Sequence, residues 1–168
     1  MIEWAYLIIG LVVLQRLGEL VLARRNAVRL MASGGVEHGV GHYPVMVALH
    51  AAWLIARLWL APGTVMWGWI VVFVVLQAAR LWVIATLGER WTTRVIVMPD
   101  APLIRSGPYR FLRHPNYAIV ALEIPVLPLA LGLPWLALLF GVANLAVLAW
   151  RIKVEDHALS NNATRADQ

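Results

Sequence analysis

The chain contains no cysteine and few charged residues. Without cysteine it can form neither a disulfide nor a thiolate nucleophile, and it has no sulfur ligand of that kind for a metal. Only 14% of the residues are charged and 61% are hydrophobic, with a mean hydropathy of +0.73. A glycine-rich phosphate loop and a serine in a nucleophile motif are also lacking. This composition is more apolar and less charged than that of a soluble domain, and it predicts an all-α integral membrane protein.

Apolar stretches divide the chain into predicted membrane helices. The stretches cover residues 4–22, 43–61, 66–87, 118–131 and 135–150, so we expect about five transmembrane helices in a single membrane domain over residues 1–168. The last two stretches are short and are separated by Gly132, Leu133 and Pro134, which indicates a helical hairpin. Residues 31–42 are predicted to be a loop, and residues 161–168 a flexible tail.

Basic residues are confined to alternate connections. Segments 23–42, 88–117 and 151–168 contain arginine or lysine, whereas the N-terminus, residues 62–65 and residues 132–134 contain none. The positive-inside rule therefore predicts an outside N-terminus and a cytoplasmic C-terminus, in what we expect to be a bacterial inner membrane. The net charge of +5 comes from basic residues placed in this membrane pattern, so no nucleic-acid partner is predicted. The expected partners are membrane lipids and a lipophilic small molecule.

Polar residues inside the predicted helices form a second pattern. Burying such groups in lipid is costly unless they pair or line a cavity. At the predicted depths, all except Arg57 lie in the cytoplasmic half of the membrane, which favours a polar cavity opening to the cytoplasm. The alternative is that they satisfy one another. The residues are Arg16, Glu19, His50, Arg57, Gln77, Arg80, Glu123 and Asn144.

The segment 102–117 is polar and basic between two apolar runs. Pro115 disfavours helical geometry at His114 and suits the first turn of a helix, so the fourth helix is predicted to begin at Pro115 or Asn116. Its free N–H groups would favour an anion above His114. Tyr109 and Tyr117 offer aromatic faces to an adenine ring or a sulfonium cation. The alternative is a cytoplasmic loop whose arginines contact lipid headgroups.

A second constellation follows the last apolar stretch. Arg151 and Glu155 are four residues apart, so they share one face of a helix that continues from that stretch. Such a pair can bind a zwitterion, although an ordinary amphipathic helix at the membrane surface has the same pattern. His38 and His42 have the spacing of zinc ligands but no accompanying carboxylate motif, so no metal is predicted.

These residues resemble a known family. Residues 107–117 read GPYRFLRHPNY and residues 151–156 read RIKVED; together they are similar to the isoprenylcysteine carboxyl methyltransferase family of integral membrane enzymes. Residues 91–95, WTTRV, look like its short bacterial members. The resemblance covers about residues 88–160, so residues 1–88 supply three N-terminal helices and residues 89–160 the catalytic region.

The resemblance implies methyl transfer from S-adenosylmethionine at the cytoplasmic face. By position, the residues that correspond to the family's cofactor contacts are Leu103, Ile104, Tyr109, His114, Pro115, Asn116, Tyr117 and Glu155. Arg151 corresponds to the arginine beside the substrate. Ala101 stands where eukaryotic members carry a histidine, so that contact is absent or replaced.

The acceptor chemistry stays open at this point. A carboxylate acceptor needs no base, whereas a phenol or enol does, and the candidates are His114, Glu123 and the pair Glu155 and Asp156. Desolvation of Glu123 in the membrane suits it to a catalytic role beside Arg151. A carboxylate or hydroxyl of a lipophilic substrate from the inner leaflet is the expected acceptor. The alternatives are a phospholipid-type amine N-methyltransferase and a non-catalytic membrane scaffold or transporter.

Overall fold

Five α-helices make up most of the chain. The computed structural model describes residues 2–60, 64–99 and 101–166, with side chains for residues 3–60, 64–99 and 101–160. The helices are α1 (Ile2–Ala32), α2 (His42–Trp59), α3 (Trp67–Leu87), α4 (Pro115–Ala130) and α5 (Pro134–Ala166). The prediction of an all-α fold with five helices is confirmed.

Three of these helices are long and apolar enough to cross a membrane. They are the segments Glu3–Ala32, Trp67–Arg90 and Pro134–Ser160. Helix α4 is apolar but has 16 residues, which is about 24 Å of helix and less than a hydrocarbon core of about 30 Å. Helix α2 has 18 residues and includes His42, His50 and Arg57. The described residues thus contain three full-length candidate spans and one shorter apolar helix, and that α2 and α4 also cross the membrane stays a prediction.

The helix ends differ from the predicted ones. Helix α1 continues to Ala32 and α5 to Ala166, because no helix-breaking residue stands at the end of either apolar run. The last helix is therefore not a short member of a hairpin, and its backbone is helical through most of the predicted tail. Residues 61–63, which include the predicted Pro62-Gly63 turn, lie outside the described part of the chain.

A small antiparallel sheet occupies the region that the sequence predicted to be only loop. Strand β1 (Val36–His38) pairs with β2 (Val95–Val97), with Val36 opposite Val97 and His38 opposite Val95. Val95 and Val97 pack against Ala158 and Leu159 of α5. The alternation in Val95-Ile96-Val97 buries one face of this strand. The sheet fixes the loops after α1 and α3 against the C-terminal half of α5.

The helix order places the basic connections together at one end of the bundle. At the other end the rings of Trp4 and Trp67 are 6.2 Å apart, and the Met66 N–H donates to the Ala130 carbonyl at 2.8 Å. That end holds the start of α1 and the turn between α4 and α5. The sheet, the start of α4 and the C-terminal half of α5 lie at the opposite, arginine-rich end.

Proline inside α4 is accommodated by a neighbouring tryptophan. Pro128 has no N–H, so the carbonyl of Ile124 loses its usual helical donor. The indole N–H of Trp53 donates to that carbonyl at 2.9 Å. Trp53 is 1% exposed and belongs to the main apolar core together with Leu127 and Leu131. The bond therefore satisfies two buried polar groups and joins α2 to α4.

The polar residues in α1, α3 and α4 pair with one another. We call Gln15, Arg16, Glu19, Gln77, Arg80 and Glu123 the polar cluster. Oε2 of Glu123 accepts from Nη2 of Arg16 at 2.8 Å and from Nη1 of Arg80 at 3.1 Å, while Oε1 accepts from Gln77 at 2.8 Å. Glu19 accepts from the same two arginines. Five of the eight predicted polar residues therefore satisfy one another, as the alternative interpretation expects, although Nε of Arg16 has no hydrogen-bond partner among the described residues.

Arg57 lies outside this network. Its side chain is 0% exposed, and the guanidinium carbon lies 3.3 Å from the centre of the Trp53 ring. Nε donates to the Trp53 carbonyl at 3.2 Å, while neither Nη1 nor Nη2 has a hydrogen-bond partner among the described residues.

Asn144, the predicted polar residue of α5, also lies outside the polar cluster. Its side chain donates to the Val120 carbonyl at 3.4 Å.

Candidate active site

The 3₁₀ turn Gly107–Arg110 is held closely against α3. Gly107 has a φ of 56°, in the left-handed region where a side chain is strained. A Cβ there would lie 2.5 Å from Oγ1 of Thr86. Glycine at this position therefore lets the backbone approach α3, and the turn directs the following Pro108 and Tyr109 inward: Pro108 is buried and Tyr109 half-buried.

Helix α4 begins at Pro115, as the sequence predicts. His114 occupies the cap position, and no side chain caps the helix. The first N–H groups of a helix have no partner within it, so this end can bind an anionic group. Oδ1 of Asn116 is buried and has no hydrogen-bond partner in the part of the chain that the structure describes.

Arg151 and Glu155 meet Tyr117 between α4 and α5. Nε of Arg151 donates to the Tyr117 hydroxyl at 2.8 Å, and that hydroxyl donates to Oε2 of Glu155. Arg151 is 5% exposed, and its Nη1 lies 2.8 Å from the thioether sulfur of Met46 in α2. The two residues that the sequence placed on one helix face are thus linked through a buried tyrosine.

His114 stands between two carboxylates. Its ring stacks on Tyr117 with centroids 5.4 Å apart. Nε2 lies 3.1 Å from Oδ1 of Asp156, which also pairs with Nη2 of Arg113 at 3.0 Å. Nδ1 is 3.9 Å from Oε1 of Glu155. Asp156 therefore fixes the edge of the imidazole and links the start of α4 to α5.

A cavity of about 1130 Å³ lies between the segment 102–117 and α5. Nearly all of the residues singled out from the sequence line it: Leu103, Ile104, Tyr109, His114, Asn116, Tyr117, Arg151 and Glu155. Pro115 is buried as the first residue of α4. Glu123 is 1% exposed within the polar cluster and does not line this cavity, so the structure does not bring it together with Arg151.

The cavity wall is strongly cationic. Its arginines are Arg90, Arg94, Arg105, Arg110, Arg113 and Arg151, and Glu155 is its one carboxylate among the described residues. Some of this charge is engaged, since Arg94 pairs with Glu37 at 3.1 Å. Burial, reinforced by the charge of Glu155, raises the pKa of Tyr109 to about 12. The phenol is therefore neutral at physiological pH and available as a hydrogen-bond donor.

Several contributing residues were not predicted as site residues. Trp91 lines the cavity and is 2% exposed, and its carbonyl accepts from the buried side chain of Asn26 at 2.8 Å. Arg94 also lines it, and its guanidinium carbon is 5.1 Å from the centre of the Tyr43 ring. The motif WTTRV was visible in the sequence, but nothing in the spacing showed that it faces the segment 102–117. The contact between Met46 and Arg151 had no sequence signal.

A second cavity, of about 450 Å³, opens beside the first between α4 and α5. The two share Leu112, Arg113, His114 and Tyr117. The rest of the second wall is apolar and consists of Ala118, Ala121, Leu145, Leu148, Ala149 and Ile152. We call it the side groove.

Comparison with known proteins agrees with the motif pattern. The family model for the isoprenylcysteine carboxyl methyltransferase family matches residues 69–161. The chain belongs to this family. The match includes most of α3, the segment 102–117 and most of α5, and membership suggests methyltransferase activity.

Relatives of similar length extend this likeness to the whole chain. The uncharacterized protein YpbQ of Bacillus subtilis (strain 168) is 34% identical over 166 residues, which cover 95% of this chain and 99% of YpbQ. An uncharacterized protein of Haemophilus influenzae (strain Rd) is 27% identical over 154 residues, covering 87% of this chain and 89% of the relative. No solved structure matches the chain.

Proposed function

We propose that the protein transfers a methyl group from S-adenosylmethionine to a carboxylate or hydroxyl of a lipophilic, membrane-dissolved acceptor at the cytoplasmic face. The observation that carries the proposal is the cavity in which His114 and Tyr117 face Arg151 and Glu155. These are the two segments through which the chain resembles its family, and they are far apart in the sequence. Their convergence is what a shared binding site requires.

The residues present fit the methyl donor. S-adenosylmethionine carries a carboxylate, an ammonium group, a sulfonium and an adenine ring. The uncapped start of α4 suits the carboxylate, and Glu155 suits a cation. The buried, unpartnered Oδ1 of Asn116 can accept from an amino group, and Tyr109 and Tyr117 supply aromatic faces. The residues that would hold the donor are Leu103, Ile104, Tyr109, His114, Pro115, Asn116, Tyr117 and Glu155.

The donor's sulfonium supplies an already activated methyl group, so the protein has only to position and desolvate the reactants. Arg151 can orient an acceptor oxygen, because the one partner of its Nη1 among the described residues is the weakly accepting sulfur of Met46. The side groove next to His114 and Tyr117 offers an apolar wall to the acceptor's hydrocarbon chain. A lipophilic acceptor would enter it sideways between α4 and α5.

The cavity's charge bears on the competing functions. An amine acceptor is cationic in water, and a wall with six arginines and one glutamate disfavours it. A scaffold has no need of a buried arginine and tyrosine joined to a half-buried glutamate in one hydrogen-bonded chain. The orientation follows the same charge pattern, with the arginine-rich end in the cytoplasm.

Calorimetric titration with S-adenosylhomocysteine, the demethylated donor, tests the proposal in detergent-purified protein. We expect saturable binding, weakened at least about 10-fold by Glu155→Gln because a hydrogen bond to a charged group is lost. Glu89→Gln is the matched control, since Glu89 pairs with Arg29 at the surface. Absence of binding to the folded wild-type protein would contradict the proposed function.

A further inference from the structure

Exposed tryptophans mark two levels along α3 and α5. Trp67 and Trp82 lie towards the two ends of α3, Trp135 and Trp150 towards the two ends of the apolar part of α5, and all four are exposed. The members of each pair are 15 residues apart, which is about 22 Å of helix. Tryptophan is enriched at both interfaces of a membrane. Centred in a hydrocarbon core of about 30 Å, each ring would lie within about 4 Å of a boundary. Trp82 and Trp150 therefore mark the boundary at the arginine-rich end.

The chain that leads into α4 lies at this same level. The Met66 N–H, next to the other tryptophan level, donates to the Ala130 carbonyl at 2.8 Å. Pro115 stands 15 residues before Ala130 in α4, so it is level with Trp82. A Cβ at Gly107 would lie 3.3 Å from Nε1 of Trp82. Both ends of the stretch 107–115 are thus held at the boundary marked by the tryptophans.

The residues Arg110–Arg113 expose apolar and cationic side chains together. Phe111 is 73% exposed and Leu112 is 53% exposed. The side chain of Arg113 is 70% exposed, although its Nη2 pairs with Asp156. Arg110 is exposed as well, and no described residue forms an ion pair or hydrogen bond with its side chain. An exposed apolar patch next to cations indicates an interaction surface.

Charge and position favour one occupant for this surface. Arg105, Arg110 and Arg113 are exposed around the two apolar side chains, and clustered arginines at a membrane boundary attract anionic headgroups. Leu112 also lines the side groove between α4 and α5, so the surface continues into an apolar face of the helices. Apolar side chains at headgroup depth reach the acyl chains while arginines reach the phosphates.

We propose that Arg110–Arg113 is a lipid-binding surface on which Phe111 and Leu112 insert between lipids. Arg110 and Arg113, together with Arg105, contact the phosphates of anionic headgroups. The same residues line the main cavity, so the membrane surface forms an outer wall of the candidate site. This surface goes beyond the proposed function, because lipid binding requires neither a methyl donor nor an acceptor.

The first test measures the depth of Phe111. The chain has no cysteine, so Phe111→Cys carries a single environment-sensitive fluorophore in the full-length protein, reconstituted in phosphatidylcholine and phosphatidylglycerol. A lipid spin-labelled near the headgroup should quench this probe more than one labelled near the chain end. Val75→Cys, exposed near the middle of α3, should show the reverse order. His157→Cys, exposed beyond Trp150, should be quenched by neither. A probe at 111 that behaves like the one at 157 would overturn the proposal.

The second test measures the choice of headgroup with the same probe. Spin-labelled phosphatidylglycerol should associate at least about 5-fold more strongly than spin-labelled phosphatidylcholine, the factor expected of one arginine near an anionic surface. The preference should largely vanish at about 1 M salt, where charges are screened beyond about 3 Å. Arg105→Gln with Arg110→Gln should remove most of it. Arg24→Gln with Arg25→Gln takes the same charge from α1 and should leave it unchanged. Equal association of both lipids with the parent protein would refute the contact with anionic headgroups.

The remaining outcomes are separable. Phe111 is exposed, so its replacement should cost little stability, and Leu112→Cys repeats the measurements if the first variant does not fold. Shielding of the probe that disappears as lipid dilutes the protein would mean that a second copy covers this surface, and the proposal would fail. Absence of S-adenosylhomocysteine binding would refute the proposed function and leave the quenching results as they are.

Discussion

Replacement of Glu123 by glutamine tests whether the polar cluster stabilises the bundle. The substitution keeps the shape of the side chain but removes its charge and turns one oxygen into an N–H donor. Oε2 of Glu123 now accepts from Arg16 and Arg80, at 2.8 and 3.1 Å, in a side chain that is 2% exposed. In the variant these two guanidiniums share only the carboxylate of Glu19.

The expected cost follows from this geometry. At an effective dielectric constant of about 20, two unit charges about 4 Å apart attract by roughly 4 kcal/mol. Desolvation offsets much of this in the intact pair, but removing one partner leaves a buried charge unpaired and costs about 3–5 kcal/mol. With an unfolding entropy of about 2.1 cal/mol/K for each of the 168 residues, this lowers the melting temperature by roughly 10 °C.

Thermal unfolding in detergent, followed by near-ultraviolet circular dichroism, measures the effect. Glu89→Gln breaks the surface pair with Arg29, in which the side chains are 79% and 47% exposed, and should change stability by less than about 1 kcal/mol. Arg80→Gln combined with Glu123→Gln should recover part of the loss, because the double variant removes one charge of each sign.

A wild-type melting temperature for Glu123→Gln would refute this reasoning. That result, together with loss of methyl transfer, would instead favour the catalytic role that the sequence suggested for Glu123. A large loss of stability with retained S-adenosylhomocysteine binding at low temperature would support the structural role, since Glu123 does not line the main cavity.

Three further predictions follow from local geometry. Gly107→Ala should lower the affinity for S-adenosylhomocysteine about 10-fold or more, because the added Cβ would lie 2.5 Å from Oγ1 of Thr86 and the backbone there is left-handed. Gly10→Ala, with open space around it in α1, should leave the affinity measured by titration calorimetry unchanged. The pKa of Tyr109 is 10.0 in the unfolded chain and about 12 in the folded one, so between these pH values only the unfolded chain ionises. The free energy of unfolding therefore falls as pH rises through this range, and chemical denaturation should show a smaller fall for Tyr109→Phe. In whole cells, an impermeant maleimide should label Thr64→Cys and spare Ser33→Cys, and the reverse pattern would invert the proposed orientation.

Local rules explain the parts of the site that were predictable. The Pro115 start of α4 follows from the geometry that proline imposes on His114, and the pairing of Arg151 with Glu155 on one face follows from helical periodicity. The strand Val36–His38 was not predicted because a three-residue strand depends on a partner far along the chain. The length of α5 was underestimated because the polar residues after Trp150 continue the helix beyond the apolar run.

The sequence by itself determined the class of the protein and the position of its polar segments, since hydropathy and the fixed φ of proline act locally. It also carried the family motifs. Only the tertiary structure decided which polar groups meet. Glu123 was predicted to serve the site, yet Arg16 and Arg80 reach it from two other helices. Met46 came to lie beside Arg151 because α2 packs against α5. Such contacts depend on helix packing, which no stretch of sequence specifies alone.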